Sequence, residues 1–309
     1  MWLKPATTEQ RNPRSRRIDR KSTLEVLRVL NREDQTVAIA VRRALPQIAL
    51  AVDMIVQRLS NGGRLIYVGA GSSGRLALLD AAEWSPTFGA PPKMVEAVIA
   101  GGNKALRGAV EAAEDSARNG ARDLGAAHLR EQDVVVGLTA SGATPYVLGA
   151  VAFARRRGAT TIGITSNRHS PLVRRAQVAI VIQTGPEAIA GSTRLKAGTA
   201  QKMALNLLST AAMVRLGRVY ENWMIYVALT NQKLRQRGAR ILTEAARVSA
   251  SEAKHALRQT GHDLPAALVM LKTGRSAREA KRLLALSGGN IRTALENSRL
   301  GRGKKNRAQ

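Results

Sequence analysis

The 309-residue chain contains no cysteine. That excludes disulfide bonds and thiolate metal sites and agrees with a reducing compartment, so a cytoplasmic protein is expected. Aromatic residues are almost as scarce: two Phe, three Trp and four Tyr, 3% of the chain. No apolar run approaches the ~18–20 residues that a membrane-spanning helix needs. The first ten residues lack the apolar core of a signal peptide, and no membrane association is expected. Acidic residues are also short, 22 Asp and Glu against 49 Lys and Arg, which leaves a formal charge of +27. Residues 1–22 hold seven cations and two acids, and residues 299–309 hold five and none. Clustered cations of this kind release counterions from a phosphate backbone. Here the remaining charge is spread along the chain and base-stacking aromatics are few, so an arginine-rich surface on an anion-binding enzyme is expected and a nucleic-acid partner is not. The four histidines, His128, His169, His255 and His262, show no metal-ligand spacing, and no metal or other cofactor is expected.

What the chain does have is length and alternation. At 44% hydrophobic it can bury a large core. Short runs rich in Val and Ile, at 64–69, 94–100, 133–139, 160–165 and 177–182, alternate with helical patterns near 74–83, 104–117, 144–157 and 170–176. Near-continuous apolar strands separated by helices predict a parallel five-stranded sheet covered on both faces, an α/β fold. Before it, a helix starts at Ser22-Thr23 and a longer one is expected over 36–59, ending at Asn61-Gly62-Gly63. After it, 191–202 leads into an apolar helix through about 216. The expected organisation is a basic N-terminal arm (1–22), an α/β domain with its leading helices (23–237), a small helical subdomain (238–298) and a basic tail (299–309).

The strand at 64–69 runs into Gly69-Ala-Gly71-Ser72-Ser73-Gly74-Arg75, which opens a helix. A glycine loop at a helix N-terminus aims backbone N–H groups at an anion, and Ser72 and Ser73 add two hydroxyls. The spacing also fits a dinucleotide fingerprint, but that needs an acidic residue at the tip of the second strand. Glu96 lies inside that strand, which ends in Gly101-Gly102-Asn103. A purely structural turn is the other alternative. The serine pair favours a sugar phosphate, and a second hydroxyl-rich loop, Thr139-Ala-Ser141-Gly142-Ala143-Thr144, follows the third strand on the same edge of the sheet.

These stretches together resemble the N-acetylmuramic acid 6-phosphate etherases, which are built on the sugar isomerase (SIS) fold. The resemblance runs through Ile18–Glu25, Gly62–Leu76, Leu79–Glu83, Ile99–Gly102, Glu111–Ser116, Asp133–Gly137, Ala140–Gly142 with Thr144–Tyr146, and Gly191–Lys202, in family order over nearly the whole chain. The glucokinase regulatory protein is a related, non-catalytic sugar-phosphate binder. Departures are Ala82-Glu83-Trp84-Ser85-Pro86, where the family reads Ser-Glu-Cys-Pro-Pro, a small Ala143 where a polar residue is usual, and Asn167-Arg168-His169-Ser170 in place of Asn-Pro-x-Ser. The resemblance implies cleavage of the D-lactyl ether of N-acetylmuramic acid 6-phosphate, in a homodimer. It makes Glu83, at the end of the phosphate-loop helix, the acid that protonates departing lactate, and Glu114, on the helix after the second strand, the C2 base. For Glu83 to act as an acid near neutrality its pKa must be raised, by burial or by the substrate's anionic groups. Phosphate is expected on Gly71, Ser72, Ser73 and Gly74, with Ser141 and Thr144 from the second loop. Ser192, Arg194 and Lys196 are expected to complete the site.

Overall fold

Five apolar runs become parallel strands: β1 (Leu65–Gly69), β2 (Val95–Ile99), β3 (Val134–Leu138), β4 (Thr160–Thr165) and β5 (Val178–Val181). The computed structural model describes residues 7–305. Every residue of β1, β3 and β4 is buried, whereas β2 and β5 are partly open. That pattern follows from the strand order, β2-β1-β3-β4-β5, which leaves β2 and β5 at the edges. Leu65 pairs with Val95 on one side and Val134 on the other, so β1 and β3 end level at Gly69 and Leu138. The order reverses between β1 and β3, and ligands of such sheets bind beyond the carboxyl ends of the strands at that switch point.

The helices are α1 (Thr23–Arg43), α2 (Leu45–Ser60), α3 (Gly71–Phe88), α4 (Ala117–Ala126), α5 (Pro145–Arg156), α6 (Pro171–Arg175), α7 (Lys196–Arg215), α8 (Gln232–Ala246), α9 (Ala250–Gln259), α10 (Leu264–Thr273), α11 (Ala277–Leu286) and α12 (Ile291–Lys305). α1 opens with a capping box between Ser22 and Glu25. The single long helix expected over 36–59 is in fact the end of α1 and all of α2. They part at Ala44, where Pro46 in the first turn of α2 suits a helix start and cannot continue one.

The chain divides into two compact units, residues 1–82 with 92–212, and residues 83–91 with 213–309. In the first, Ile66, Val68, Val135, Tyr146, Val147, Val151 and Leu172 pack into one continuous core. In the second, α8–α12 close around Leu242, Leu257, Leu268, Ile291 and Ala294. Its short helices begin at good caps: Asn231, Ser249 with Glu252, Asp263, and Ser276 with Glu279. Residues 1–6 and 306–309 of the basic arm and tail lie outside the described residues. The rest of the arm forms three 3-10 turns, Thr7–Glu9, Pro13–Ser15 and Ile18–Arg20.

At the N-terminal ends of the strands, Asp133 is completely buried and ties two strands together. Its carboxylate accepts from the Arg64 amide (2.9 Å), the Arg64 guanidinium (2.8 Å), the Arg130 amide (3.0 Å) and the Arg130 guanidinium (3.1 Å). Arg64 also reaches Glu96, at the start of β2, at 3.0 Å. Burial acts to raise the Asp133 carboxyl, but the bonds from Arg64 and Arg130 outweigh it and hold its pKa below the ordinary value. A depressed folded-state pKa stabilises above the unfolded value of about 3.9 and loses that contribution as pH falls through the folded value. Asp133→Ala is expected to cost about 1–3 kcal/mol at neutral pH, because the amides and guanidinium groups of Arg64 and Arg130 lose their shared buried acceptor. It should also remove part of the acid-induced loss of stability. Denaturant melts of both proteins at neutral and acid pH check this; parallel curves would overturn it.

Candidate active site

The end of β1 and the start of α3 approach so closely that side chains are excluded. A Cβ on Gly69 would lie 2.7 Å from the Gly74 nitrogen, and one on Gly74 would lie 2.5 Å from Ile99 Cγ1. The first amide bonded within the helix is that of Gly74, to the Ala70 carbonyl at 3.2 Å. Gly74 therefore does not offer its N–H to a ligand as expected; it allows α3 to pack on the sheet. The amides of Gly71, Ser72 and Ser73 come before it and are the orphan donors of a helix N-terminus, with the positive end of the helix dipole behind them. Gly71 has φ +52°, the left-handed region that favours glycine.

The loop after β3 supplies the opposite wall. The Thr139 hydroxyl lies 3.2 Å from that of Ser141 and 2.7 Å from that of Thr144, a short hydroxyl chain. Gly142 turns at φ +70°, and a Cβ there would meet Ser170 Oγ at 2.1 Å. Asn167, past β4, donates to the Ser141 carbonyl at 3.3 Å.

Between the two loops lies a cleft of about 330 Å³, at the β1–β3 switch point. The structure brings Gly71, Ser72, Ser73, Ser141, Thr144 and Glu114 to its wall. The route of Glu114 there differs from expectation. No helix spans 104–117: Gly102–Leu106 is a 3-10 turn, Ala112 sits at φ +56°, and α4 starts only at Ala117 behind the Ser116 cap. Glu114 is on a turn, and its position comes from two ties. Its carbonyl accepts from the Tyr146 amide at 3.0 Å, at the start of α5. Arg75, on α3, holds the same segment through the carbonyls of Ala105 (2.9 Å) and Gly108 (2.8 Å). Tyr146 is itself fixed by its hydroxyl, which donates to Asp123 at 2.9 Å; burial first and Asp123 second raise its pKa.

Glu83 lies further along α3, is exposed and is not among the residues lining the cleft. The burial expected of an acid there is absent. Ser192 and Arg194 also stay off the cleft wall, although Thr193 and Gly191 line it. Lys196 is a correction. Its ammonium is buried against Glu33 at 2.6 Å, 163 residues away in sequence, so its charge is already used. For Glu33, burial acts to raise the pKa, but Lys196, Asn12 and Arg14 prevail and lower it. Glu187 accepts from the amides of Lys196 (3.0 Å) and Ala197 (2.9 Å) and caps α7. Burial raises its pKa despite those two bonds. Glu9 lines the cleft as well, and nothing in a polar basic arm marks it in the sequence. No group of three or more His, Cys, Asp or Glu among the described residues could hold a metal ion. Nor is any described helix long and apolar enough to cross a membrane.

A cleft with helix-terminal amides, hydroxyls and carboxylates suits a phosphorylated polyol and proton-transfer chemistry. The family model for the glucokinase regulatory protein N-terminal SIS domain matches residues 47–155, and that for the SIS domain matches residues 112–211. A phosphoheptose isomerase from Francisella tularensis has the same fold, with TM-score 0.50 and 20% identity over 62% of this chain and 98% of its own. N-acetylmuramic acid 6-phosphate etherases of Yersinia pestis (strain Pestoides F) and Yersinia pseudotuberculosis (serotype O:1b) are each 52% identical over 96% of this chain and all of their own length. The chain belongs to the N-acetylmuramic acid 6-phosphate etherase family.

Proposed function

We propose that this chain cleaves the D-lactyl ether of N-acetylmuramic acid 6-phosphate, giving N-acetylglucosamine 6-phosphate and D-lactate. The observation that carries this reading is the 52% identity to curated etherases over nearly the whole chain. An alkyl ether resists direct hydrolysis because its leaving alkoxide is strongly basic. The open-chain sugar offers another route, since its C2 proton is α to an aldehyde. A base removes that proton, the C3–O bond breaks, and an acid protonates the departing lactyl oxygen. Water then adds at C3 of the unsaturated aldehyde and a proton returns to C2. Two carboxyl groups suffice for these transfers.

The 6-phosphate is assigned to the amides of Gly71, Ser72 and Ser73 and the two serine hydroxyls, with Ser141 and Thr144 facing it. Glu114, on the same cleft, is the proposed C2 base. Glu83 is the proposed acid on the strength of the motif match alone. A homodimer is part of the proposal. Leu24 and Leu27 on α1 and Leu207 on α7 are exposed apolar side chains, which supports a surface covered by a second copy. Ser192 and exposed Arg194 are proposed to complete the site from such a copy. The cytoplasm is the proposed compartment, and no nucleic-acid partner is proposed.

Three outcomes are expected. Ser72→Ala and Ser73→Ala each weaken N-acetylglucosamine 6-phosphate binding by about 1.5–3 kcal/mol, the worth of a hydrogen bond to a charged group; calorimetry that finds parent affinity in both would reduce the loop to a turn. Light scattering at micromolar concentration gives the mass of two chains, and a monomer mass counts against the dimer. With the muramic sugar in deuterated water, Glu83→Ala stops lactate release yet still exchanges the C2 proton. Glu114→Ala loses exchange as well, each by about 10²–10⁴-fold. Normal lactate release by Glu83→Ala would remove its assignment.

A further inference from the structure

Glu9 shares the cleft with the helix-terminal amides and Glu114. It carries no hydrogen bond or ion pair among the described residues, although the chain has more than two cations for each acid. Its Oε2 lies where Gly191 leaves room: a Cβ on Gly191 would come within 3.2 Å of it. An unclaimed carboxylate in a cleft must be held there by its backbone, and the arm that carries it is tied down on both sides. Thr8 is fully buried, and its carbonyl accepts from the Gly191 amide at 3.1 Å. Three residues beyond Glu9, Asn12 is buried and donates to Glu33 Oε2 at 2.8 Å and to the Pro186 carbonyl at 3.1 Å. Its own side-chain oxygen accepts from the Arg14 amide at 2.9 Å. Glu33 in turn is the buried partner of Lys196. The conformation of the arm is therefore set by a desolvated network joining the arm, α1, the loop before α7 and α7 itself.

We propose that Glu9 is a substrate-binding residue that accepts hydrogen bonds from hydroxyl groups of the phosphosugar, and that Asn12, Glu33 and Lys196 are positioning residues that hold it in the cleft. This rests on the sugar-phosphate reading of the cleft given above. The chemistry of the site restricts what Glu9 can face. A phosphate or the lactyl carboxylate would be repelled by it, and the anion end of the cleft is already defined by the amides of α3. Neutral donors remain, and a sugar carries several. A carboxylate accepts from hydroxyls through both oxygens and binds them more strongly than a neutral acceptor does. Glu9 would thus orient the sugar along the cleft, phosphate at one end and hydroxyls at the other. Lys196 would act at a distance, through Glu33 and Asn12.

The test compares two probes on the full chain, N-acetylglucosamine 6-phosphate and inorganic phosphate, by calorimetry. Glu9 is exposed, so its replacement leaves the fold intact, and melting temperature verifies that. Glu9→Ala is expected to weaken the phosphosugar roughly 10- to 100-fold while inorganic phosphate binds as in the parent or more tightly, since a like charge has gone. Glu9→Gln, which keeps one acceptor oxygen, should fall between. Asn12→Ala, which frees the arm, should shift the same ratio in the same direction and raise KM more than it lowers kcat. Unchanged phosphosugar affinity in Glu9→Ala would overturn the proposal, and so would an equal loss for both probes. A parent protein that binds the phosphosugar with this Glu9 dependence but releases no lactate would defeat the etherase reading and leave the Glu9 assignment standing.

Discussion

The site depends on a contact that no side chain could survive. Gly69 ends β1 and Gly74 lies in the first turn of α3, with the Gly74 backbone inside the space that a Cβ on Gly69 would need. Because both are glycine, α3 can leave the sheet at once and present its N-terminus directly over the switch point. A larger residue at either position would have to push the helix outward, and overpacking of that kind typically costs ~1–3 kcal/mol. The functional cost would be greater, because three orphan amides and a helix dipole act only over the first turn. The second loop, the Glu114 turn and the N-terminal arm are all arranged around that fixed terminus.

Charge is distributed by the same economy. With 22 acids among 49 cations, most carboxylates have an evident use. Asp133 joins β1 and β3 from beneath, Glu33 neutralises Lys196, and Glu187, Glu25, Glu252 and Glu279 cap helices. Each buried acid is repaid in hydrogen bonds, as desolvation requires. Against that background the carboxylates without a partner among the described residues stand out, and two of them, Glu9 and Glu114, meet in one cleft. In a chain this basic, leaving an acid unpaired at a concave surface needs a ligand to explain it, whereas an unpaired arginine on the outside does not.

The strands, the two glycine loops and the helical subdomain were legible because each is a local pattern: period and length for strands, Gly and Ser between strand and helix, Ser-x-x-Glu at helix starts. The order of the strands was not, because nothing local says that β3 rather than β2 continues the sheet past β1. That pairing is what turns two separate loops into one cleft. Glu114 shows a second limit. Glu111–Ser116 reads as helical from its alanines and glutamates, but Arg75 and the Tyr146 amide claim the backbone of this region from outside, so tertiary bonds override propensity. Lys196 was expected in the site because the 191–202 segment resembles the family; the residue it pairs with, Glu33, is 163 residues distant and no local pattern points to it. Glu9 was missed for the complementary reason: it is an ordinary acid in a polar arm until the Asn12 network folds it back. The break between α1 and α2 alone carried an overlooked local sign, Pro46.

The division of labour in the cleft bears on what one fold can catalyse. In the proposed assignment, phosphate is held by backbone amides and hydroxyls, groups that the βα geometry itself provides and that any sugar phosphate would satisfy. The proposed C2 base, Glu114, sits on an irregular segment, and such segments vary without disturbing the sheet. An isomerase needs a base at C2; an etherase needs, in addition, help for a leaving alkoxide at C3. The fold is therefore neutral between the two, and the difference lies in where carboxylates are held. Glu114 is held by a carbonyl bonded to Tyr146, and Glu9 by an arm whose Asn12 bonds the buried Glu33–Lys196 pair. Among the described residues neither carboxylate is itself paired, so both are available to substrate, while the backbone ties that position them lie elsewhere in the fold. Separating the fixing of the backbone from the use of the side chain allows a carboxylate to be both immobile and chemically available.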